Sequence, residues 1–220
     1  KKEGEHFLVD LILDQASSKG TGMWSSSAAL SLGSVNTMMS ASVFARYLSS
    51  FKTQRIALSA RKPKAKKHVD IDVKSLIEAY RFARIVNHIQ GFNLIGNASQ
   101  QYGWEYNPSE TARIWTQGCI IRSRLMETLV HSFKTEKSLL NNTAVLDLLK
   151  ENEAGAAAII HHGVDQKIPL ACYSSAYNYW IAMCSETLPA NLIQAQRDFF
   201  GAHTYRRVDK AFEQTFHTQW

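Results

Sequence analysis

The chain has 220 residues with a formal net charge of +6, of which 45% are hydrophobic and 20% charged, a balance typical of a folded protein and not of a disordered one. No stretch approaches the roughly 20 apolar residues that a membrane span needs, and the charged start at Lys1–His6 is not followed by the apolar core of a signal peptide. The three cysteines are widely spaced without a CxxC pair, which argues against a disulfide framework or a zinc site and favours a cytoplasmic protein.

Apolar residues near the N-terminus follow a helical spacing. Residues separated by three or four positions lie on the same face of a helix. Leu8, Val9, Ile12, Leu13 and Ala16 follow this spacing. The pattern predicts an amphipathic helix through this stretch.

The segment Ser18–Ser25 interrupts the helical pattern with two glycines, a lysine and a threonine. Glycine lets the backbone turn tightly and approach a ligand, and the N–H groups that begin the following helix attract an anion. The segment therefore has the composition of a phosphate-binding loop, although it lacks the GxxxxGK[ST] order of a Walker A loop. The alternative is that it only separates two helices.

Arg46 lies on an otherwise apolar helical stripe across residues 44–48. One interpretation is an amphipathic side chain whose stem lies on the core and whose charged end reaches water. The other is a guanidinium that binds a phosphate through two parallel hydrogen bonds. Arg122 and Arg124 raise the same question, and for these two we expect ion pairs with interior carboxylates.

Positive charge is concentrated in one segment of the chain. Seven basic residues lie between Lys52 and Lys67 with no acidic residue among them, and without them the basic residues nearly balance the 19 acidic ones. The segment has no aromatic residue on which a base could stack, so it predicts a solvated loop, with nucleic acid or another polyanion as the alternative. The seven are Lys52, Arg55, Arg61, Lys62, Lys64, Lys66 and Lys67.

The middle of the chain predicts one long helix. Apolar residues from Leu76 to Phe92 keep a helical spacing on more than one side, and the pattern ends near Gly103. A helix that is apolar on several sides belongs in the centre of a fold. Further on, residues 107–110 (Asn-Pro-Ser-Glu) have the order of a helix start, and Thr187-Leu188-Pro189 opens a helix towards residue 201.

The C-terminal tail, residues 204–220, carries Val208, Phe212, Phe216 and Trp220. Apolar residues at this density predict a tail that is docked on a surface. No long segment alternates apolar and β-branched residues with polar ones, as a half-buried strand would. The sequence therefore predicts one all-α domain across residues 1–220, with about eight to ten helices.

Five blocks of the sequence carry a resemblance to a known family. They are Lys19–Trp24 (KGTGMW), Val43–Ser50 (VFARYLSS), Gly118–Ser123 (GCIIRS), Leu188–His203 (LPANLIQAQRDFFGAH) and Phe216–Trp220 (FHTQW). In order and spacing, and across essentially the whole chain, they resemble the decarboxylating 6-phosphogluconate dehydrogenases.

The resemblance implies an all-helical domain that makes the dimer and follows an N-terminal Rossmann domain, which binds NADP. Only the later part of that helical domain is resembled here, and no GxGxxG follows a predicted strand. The family's catalytic lysine and glutamate lie upstream of the resembling part. We therefore expect neither a Rossmann domain nor a catalytic residue in this chain, and we assign no cofactor-binding residue.

For the substrate, the resemblance places Lys19, Thr21 and Arg46 where the family holds the sugar phosphate. It places Arg197 and His203 where the family reaches across the dimer into the neighbouring subunit's site. The implied partners are 6-phosphogluconate and a second copy of the chain, with no nucleic acid, no membrane and no metal.

The implied reaction is the oxidative decarboxylation of 6-phosphogluconate to ribulose 5-phosphate and CO2 with reduction of NADP, a step of the pentose phosphate pathway. Met23 departs from the family, which has a basic residue there, so one charge near the phosphate is lost. The alternative is a non-catalytic helical module, descended from that enzyme, that acts by dimerisation or partner binding. In either case we expect the chain alone to be inactive.

Overall fold

Helices form almost all of the regular structure in the computed structural model, which describes residues 1–61 and 70–220. The ten α-helices of the described residues confirm the all-α prediction. A 3-10 turn covers Leu139–Asn141, and an antiparallel hairpin pairs β1 (Lys2–Glu3) with β2 (His6–Phe7). Within the described ranges, no helix has the length and apolar character needed to cross a membrane. The helices are α1 (Leu8–Leu11), α2 (Thr21–Ser31), α3 (Thr37–Ser49), α4 (Lys52–Ser59), α5 (Val73–Tyr102), α6 (Pro108–Ile114), α7 (Arg124–Thr135), α8 (Thr143–Gln166), α9 (Ala171–Met183) and α10 (Ala190–Gly201).

The first of two compact units, Lys1–Trp180, is built around α5. This helix packs lengthwise against α8, and it buries residues on several sides, among them Phe82 and Ile89. Asp72 begins the helix by accepting two backbone N–H hydrogen bonds from its first turn, and Gly103 ends it. The predicted long central helix is therefore confirmed, together with its end.

A buried glutamine joins α3 to this core. The side chain of Gln90, on α5, has no solvent exposure. Its Oε1 accepts a hydrogen bond from the Met38 N–H at 3.0 Å, and its Nε2 donates to Thr37 Oγ1 at 2.9 Å. Both partners lie in the first turn of α3, which has no capping side chain of its own. Because α3 carries Arg46, this contact helps to determine where that arginine lies.

The predicted helix start at residues 107–110 is confirmed. Asn107 Oδ1 accepts a hydrogen bond from the Glu110 N–H at 3.1 Å, and Pro108 occupies the first helical position of α6. Ser123 begins α7 in the same way, by accepting from the Met126 N–H at 3.2 Å. Such caps satisfy N–H groups that a helix leaves without an internal partner, so they act locally and can be recognised in a sequence.

The predicted amphipathic helix near the N-terminus is wrong in its extent. One helical turn, Leu8–Leu11, follows the hairpin, and the chain is then irregular as far as residue 19. Ile12 and Leu13 are 63% and 62% exposed. In proteins, an amphipathic helix is stabilised mainly by burial of its apolar face, and here that face is not buried.

The second unit, Ile181–Trp220, consists of the end of α9, helix α10 and the tail. The helix predicted after Pro189 is confirmed, since α10 covers Ala190–Gly201. Tyr205 and Phe216 exchange two backbone hydrogen bonds of 2.8 Å, which fold the tail back on itself. Trp220 then returns to α10, where its Nε1 donates to a carboxylate at 3.0 Å. The tail is therefore docked, as predicted.

Candidate functional site

Helix α2 begins with an open N-terminus. Gly20 precedes it at φ +99°, a left-handed conformation that glycine adopts without a steric penalty. No side chain caps the helix, and the N–H groups of Thr21 and Gly22 have no hydrogen-bond partner among the described residues. Free N–H groups at the positive end of a helix dipole attract an anion. This is the backbone arrangement that the predicted phosphate-binding loop requires.

Helices α2 and α3 approach each other closely at Gly22. A Cβ atom at this position would lie 2.7 Å from Val43 Cγ2, which is closer than packed carbon atoms come. A hydrogen bond of 3.0 Å from Asn36 Nδ2 to Ser25 Oγ also joins the two helices. Val43 lies one helical turn before Arg46, so the close approach brings Arg46 near the start of α2.

Arg46 contacts the loop that precedes α2. Its Nη2 donates a hydrogen bond to the Ser17 carbonyl oxygen. The Ala16 N–H donates to Ser49 Oγ at 2.9 Å, which ties the same loop to the last turn of α3. Lys19 follows two positions after Ser17. At least two hydrogen bonds therefore hold the loop against the C-terminal end of α3.

The structure thus brings Lys19, Thr21 and Arg46 to one end of the α2–α3 pair. All three side chains are exposed to solvent. An ammonium group, a guanidinium, a hydroxyl and free backbone N–H groups are all donors, and a phosphate oxygen can accept from each of them. Arg46 has features of both interpretations, because its side chain is exposed and its guanidinium contacts the loop predicted to bind phosphate.

An acidic residue of the same loop pairs with two residues of the basic segment. Lys52 and Arg55 both contact the Asp14 carboxylate, and Arg55 Nη1 lies 2.7 Å from Oδ2. Hydrogen bonds from Arg55 and then Lys52 hold the pKa of Asp14 well below its usual value. The solvated-loop interpretation is wrong for Lys52 and Arg55, which lie on helix α4. For Lys62, Lys64, Lys66 and Lys67 it stays a prediction, because these residues lie outside the described residues.

A buried carboxylate organises the second unit. Asp198 of α10 has no solvent exposure. Its Oδ1 accepts hydrogen bonds of 2.9 Å from the Thr204 N–H and from His217 Nδ1. Its Oδ2 accepts hydrogen bonds of 3.0 Å from the Thr218 N–H and from Trp220 Nε1. Burial raises the pKa of this carboxyl, but the four donors outweigh burial and lower the pKa to about 2.

Arg197 and His203 lie close to this carboxylate in the chain. Arg197 is exposed on α10, and His203 follows the helix end and is also exposed. The His203 ring lies over Gly201, where a Cβ atom would be 3.0 Å from Nε2. Ala202 and Thr204, on either side of His203, have φ values of +51° and +59°. The backbone around His203 is therefore sharply turned, while the imidazole itself faces solvent.

The five predicted substrate residues therefore fall into two groups, one in each unit. Lys19, Thr21 and Arg46 lie together in the first unit, and Arg197 and His203 lie six positions apart in the second. Each group is accessible at its own surface. Both groups offer cationic side chains and hydrogen-bond donors to a ligand.

The described residues do not form a dinucleotide-binding unit. Their one sheet is the hairpin of β1 and β2, whereas a dinucleotide is bound at a strand–turn–helix unit of a parallel sheet. The same residues include no group of three or more His, Cys, Asp or Glu that could hold a metal ion.

Sequence reasoning did not identify Asp198 or Gln90, the two residues that hold the site-bearing segments in place. For Asp198 a signal was available, because a docked Trp220 requires an acceptor for its indole N–H, and Asp198 lies in one of the five blocks. For Gln90 the signal was a polar residue on an apolar stripe. Neither signal names the partner, since each partner belongs to another element of the fold.

Comparison with known proteins identifies the relatives of this chain. The family described as "6-phosphogluconate dehydrogenase, C-terminal domain" matches residues 1–220, which confirms the resemblance seen in the five blocks. The decarboxylating 6-phosphogluconate dehydrogenase of Lactococcus lactis subsp. lactis (strain IL1403) is 39% identical over 225 residues, covering 99% of this chain and 47% of that protein. The corresponding protein of Salmonella typhimurium (strain LT2) is 40% identical over 227 residues, covering 100% of this chain and 48% of that protein.

A solved structure shows the same fold. The 6-phosphogluconate dehydrogenase of Plasmodium falciparum superposes with a TM-score of 0.89 at 33% sequence identity, over 97% of this chain and 47% of that one. That protein has been determined in its apo form, in complex with its cofactor NADP+ and in complex with its substrate 6-phosphogluconate. The chain spans about half the length of the curated relatives it matches.

Proposed function

The chain belongs to the 6-phosphogluconate dehydrogenase C-terminal domain family, and from this premise we propose that it provides the substrate-phosphate site and the dimer contact of a decarboxylating 6-phosphogluconate dehydrogenase. The proposed overall reaction converts 6-phosphogluconate to ribulose 5-phosphate and CO2 with reduction of NADP. Residues 1–220 act in this proposal as one functional domain of a cytoplasmic enzyme. The observation that carries the proposal is the gathering of Lys19, Thr21 and Arg46 at the open start of α2.

The phosphate group is the part of the substrate that this site would bind. A phosphate dianion is bound well by several donors that include positive charges. Lys19 and Arg46 supply two charges, and the first N–H groups of α2 supply uncharged donors. Arg46 at present donates to the neutral Ser17 carbonyl, and a charged phosphate oxygen is the stronger acceptor. Binding energy at the phosphate can then orient the distant carbons that react.

The proposal gives Arg197 and His203 to the neighbouring subunit's site. Both are exposed, and their segment is held through the buried Asp198 carboxylate. Phe212 and Trp220 of the tail are 70% and 59% exposed, and they provide apolar surface for a contact between copies. In a homodimer of this kind, each phosphate site takes donors from both subunits.

One observation favours the non-catalytic alternative. Met23 occupies the first turn of α2, where the family has a basic residue, and its side chain is 45% exposed. The site therefore has one positive charge fewer for the phosphate. A dimer that binds no sugar phosphate would be the signature of the alternative function.

Calorimetric titration tests the phosphate site directly. Substrate affinity should fall about 10- to 100-fold in Arg46→Gln, because one charge-assisted hydrogen bond is lost. Arg113→Gln is the matched control, since Arg113 is an exposed arginine of α6 that pairs with Glu110. Gluconate, which lacks the phosphate, should bind with equal affinity to the unsubstituted protein, Arg46→Gln and Arg113→Gln. Equal affinity of Arg46→Gln and Arg113→Gln for 6-phosphogluconate would contradict the proposal.

Subunit mixing tests the shared site. A mixture of Arg46→Ala and His203→Ala subunits should regain one intact site in each heterodimer, whereas either variant alone should bind weakly. Mass spectrometry of the mixture confirms that subunits have exchanged. If the exchanged mixture binds 6-phosphogluconate no better than its parents, the two groups of residues do not serve one site.

A further inference from the structure

A cavity of about 440 Å³ lies between α5, the start of α7 and α8. Three arginines line it: Arg81 and Arg84, which are three positions apart on α5, and Arg124, the first residue of α7. No acidic residue lines the cavity. The size is within the roughly 300–1,000 Å³ that small-molecule sites occupy.

The arginines of this cavity have no partner of opposite charge. None of them forms an ion pair with any residue in 1–61 or 70–220. The prediction of carboxylate partners for Arg122 and Arg124 is therefore wrong within the described part of the chain. Arg81 and Arg124 are exposed and Arg84 is half-buried, and an anion between these like charges would reduce their repulsion.

The start of α7 adds backbone donors to the same wall. Ser123 Oγ accepts the hydrogen bond from the Met126 N–H. The N–H groups of Arg124 and Leu125 precede Met126, and the described residues provide no acceptor for either. Ser123, Arg124 and Leu125 all line the cavity. The positive end of a 12-residue helix therefore faces the same space as the guanidinium groups.

The remaining lining residues are apolar or already have a hydrogen-bond partner. Ile85, Leu125 and Leu148 contribute apolar surface. Asn152 is 4% exposed, and its Nδ2 donates to the Leu148 carbonyl at 2.7 Å. A ligand that fits this cavity combines several negatively charged oxygens with a part that tolerates contact with aliphatic side chains.

Arg81 and Arg124 supply the charges that belong to this cavity alone. Arg84 also borders a second cavity, and its guanidinium carbon lies 5.4 Å from the centre of the Tyr80 ring. A guanidinium is always charged and carries five N–H donors in one plane, an arrangement that matches phosphate oxygens. Two guanidinium groups and the free N–H groups of α7 together offer more hydrogen-bond donors than the two oxygens of a single carboxylate can accept.

We propose that this cavity binds the diphosphate group of a small molecule, held by Arg81, Arg124 and the first turn of α7. The site is separate in sequence and in structure from Lys19, Thr21 and Arg46, so it does not depend on the proposed function. A diphosphate group occurs both as inorganic pyrophosphate and as part of a nucleotide such as ADP. Both compounds are therefore used as probes.

The test is an NMR titration of the isotope-labelled protein with pyrophosphate and, separately, with ADP. The backbone amides of Arg124 and Leu125 should shift and saturate. The double variant Arg81→Gln/Arg124→Gln should bind at least about tenfold more weakly, because two charge-assisted contacts are lost. Tighter binding of pyrophosphate would identify the inorganic diphosphate as the ligand. Tighter binding of ADP would identify a nucleotide as the ligand, with the apolar wall in contact with its nucleoside part.

Three controls make the result decisive. Arg122→Gln removes the same charge from the same loop but from outside this cavity, and Arg46→Gln removes a charge from the proposed phosphate site. A third control, Arg113→Gln, removes an exposed charge that pairs with Glu110. Read at the Arg124 and Leu125 amides, Arg122→Gln and Arg113→Gln should not weaken binding more than about twofold, and Arg46→Gln should change only the signals of the α2 region. An equal loss in Arg122→Gln would mean diffuse attraction to a basic surface, and it would overturn the proposal, as would titrations without saturation. Single Arg81→Gln provides the same comparison if the double variant does not fold.

Discussion

The two segments that carry the predicted substrate residues are held in opposite ways. The start of α2 is an open helix end, and the exposed loop before it is tied to α3 by two hydrogen bonds, one donated by Ala16 of the loop and one donated by Arg46 of α3. The end of α10 is closed by a left-handed Ala202 and by the Asp198 carboxylate, whose four acceptor positions are all filled from within the same unit.

This difference distinguishes binding groups from supporting groups. An unfilled helix end has donors to give to a ligand, so the α2 region is suited to binding. A buried carboxylate with four donors has nothing left for a ligand, so Asp198 is suited to holding its neighbours in place. The first segment should therefore bind added anions. The structure of the second segment should instead depend on the buried Asp198 carboxylate and on its charge.

The largest effect is expected from Asp198→Ala. The substitution leaves the Thr204 and Thr218 N–H groups and the Trp220 indole without their acceptor, so the tail should detach from α10. Hydrogen exchange of these groups should accelerate by about 100-fold or more, while α2 should not change. Asp209→Ala is the control, because that exposed carboxylate pairs only with Arg207 among the described residues. Equal acceleration in both variants would show that Asp198 has no special role.

Acidification should release the same tail in the native protein. The pKa of Asp198 is lowered from the ordinary 3.8 to about 2, so its ionised form stabilises the folded unit above pH 3.8. That stabilisation should be lost as the pH falls from 3.8 towards 2. The Trp220 indole N–H signal reports the change by NMR. Asp209→Asn should keep this pH dependence and Asp198→Asn should remove it, although the Asp209 pKa is also lowered, by Arg207.

A smaller loss of stability is expected from Gly22→Ala in the first segment. The added methyl would lie 2.7 Å from Val43 Cγ2, and overpacking of this kind costs about 1–3 kcal/mol. Denaturant unfolding measures the loss. In a double-mutant cycle, Gly22→Ala should cost less in the Val43→Ala background than in the native protein, because the opposing methyl groups are removed. An equal cost in both backgrounds would mean that the two helices do not meet at this point.

The smallest effect on stability is expected from Gly201→Ala. Alanine favours a helical position by about 0.5–1 kcal/mol, which offsets the contact of 3.0 Å with His203 Nε2. The free energy of unfolding should therefore change little, while the His203 ring should move, and the NMR signals of its imidazole should shift. Gly96→Ala is a control without such a contact, since its Cβ would have no atom within 4 Å. Unchanged His203 signals would contradict the placement of the ring over Gly201.

The sequence by itself determined the helical class, the long central helix and several helix boundaries. Asn107 and Glu110 show why: the cap and the N–H that it accepts are three residues apart, so one short segment contains the whole signal. The five blocks identified the family in the same direct way, because residue identity and order are properties of the chain. They also named Lys19, Thr21 and Arg46 before any geometry was considered.

Only the tertiary structure decided which groups have partners. Helical spacing near the N-terminus did not produce a long helix, because Ile12 and Leu13 are not buried. Asp198 finds its four donors 6, 19, 20 and 22 residues away, and Arg124 lies near α5 arginines instead of the expected carboxylate. Caps and turns involve neighbours along the chain, whereas burial and charge pairing depend on elements that meet only when the chain has folded.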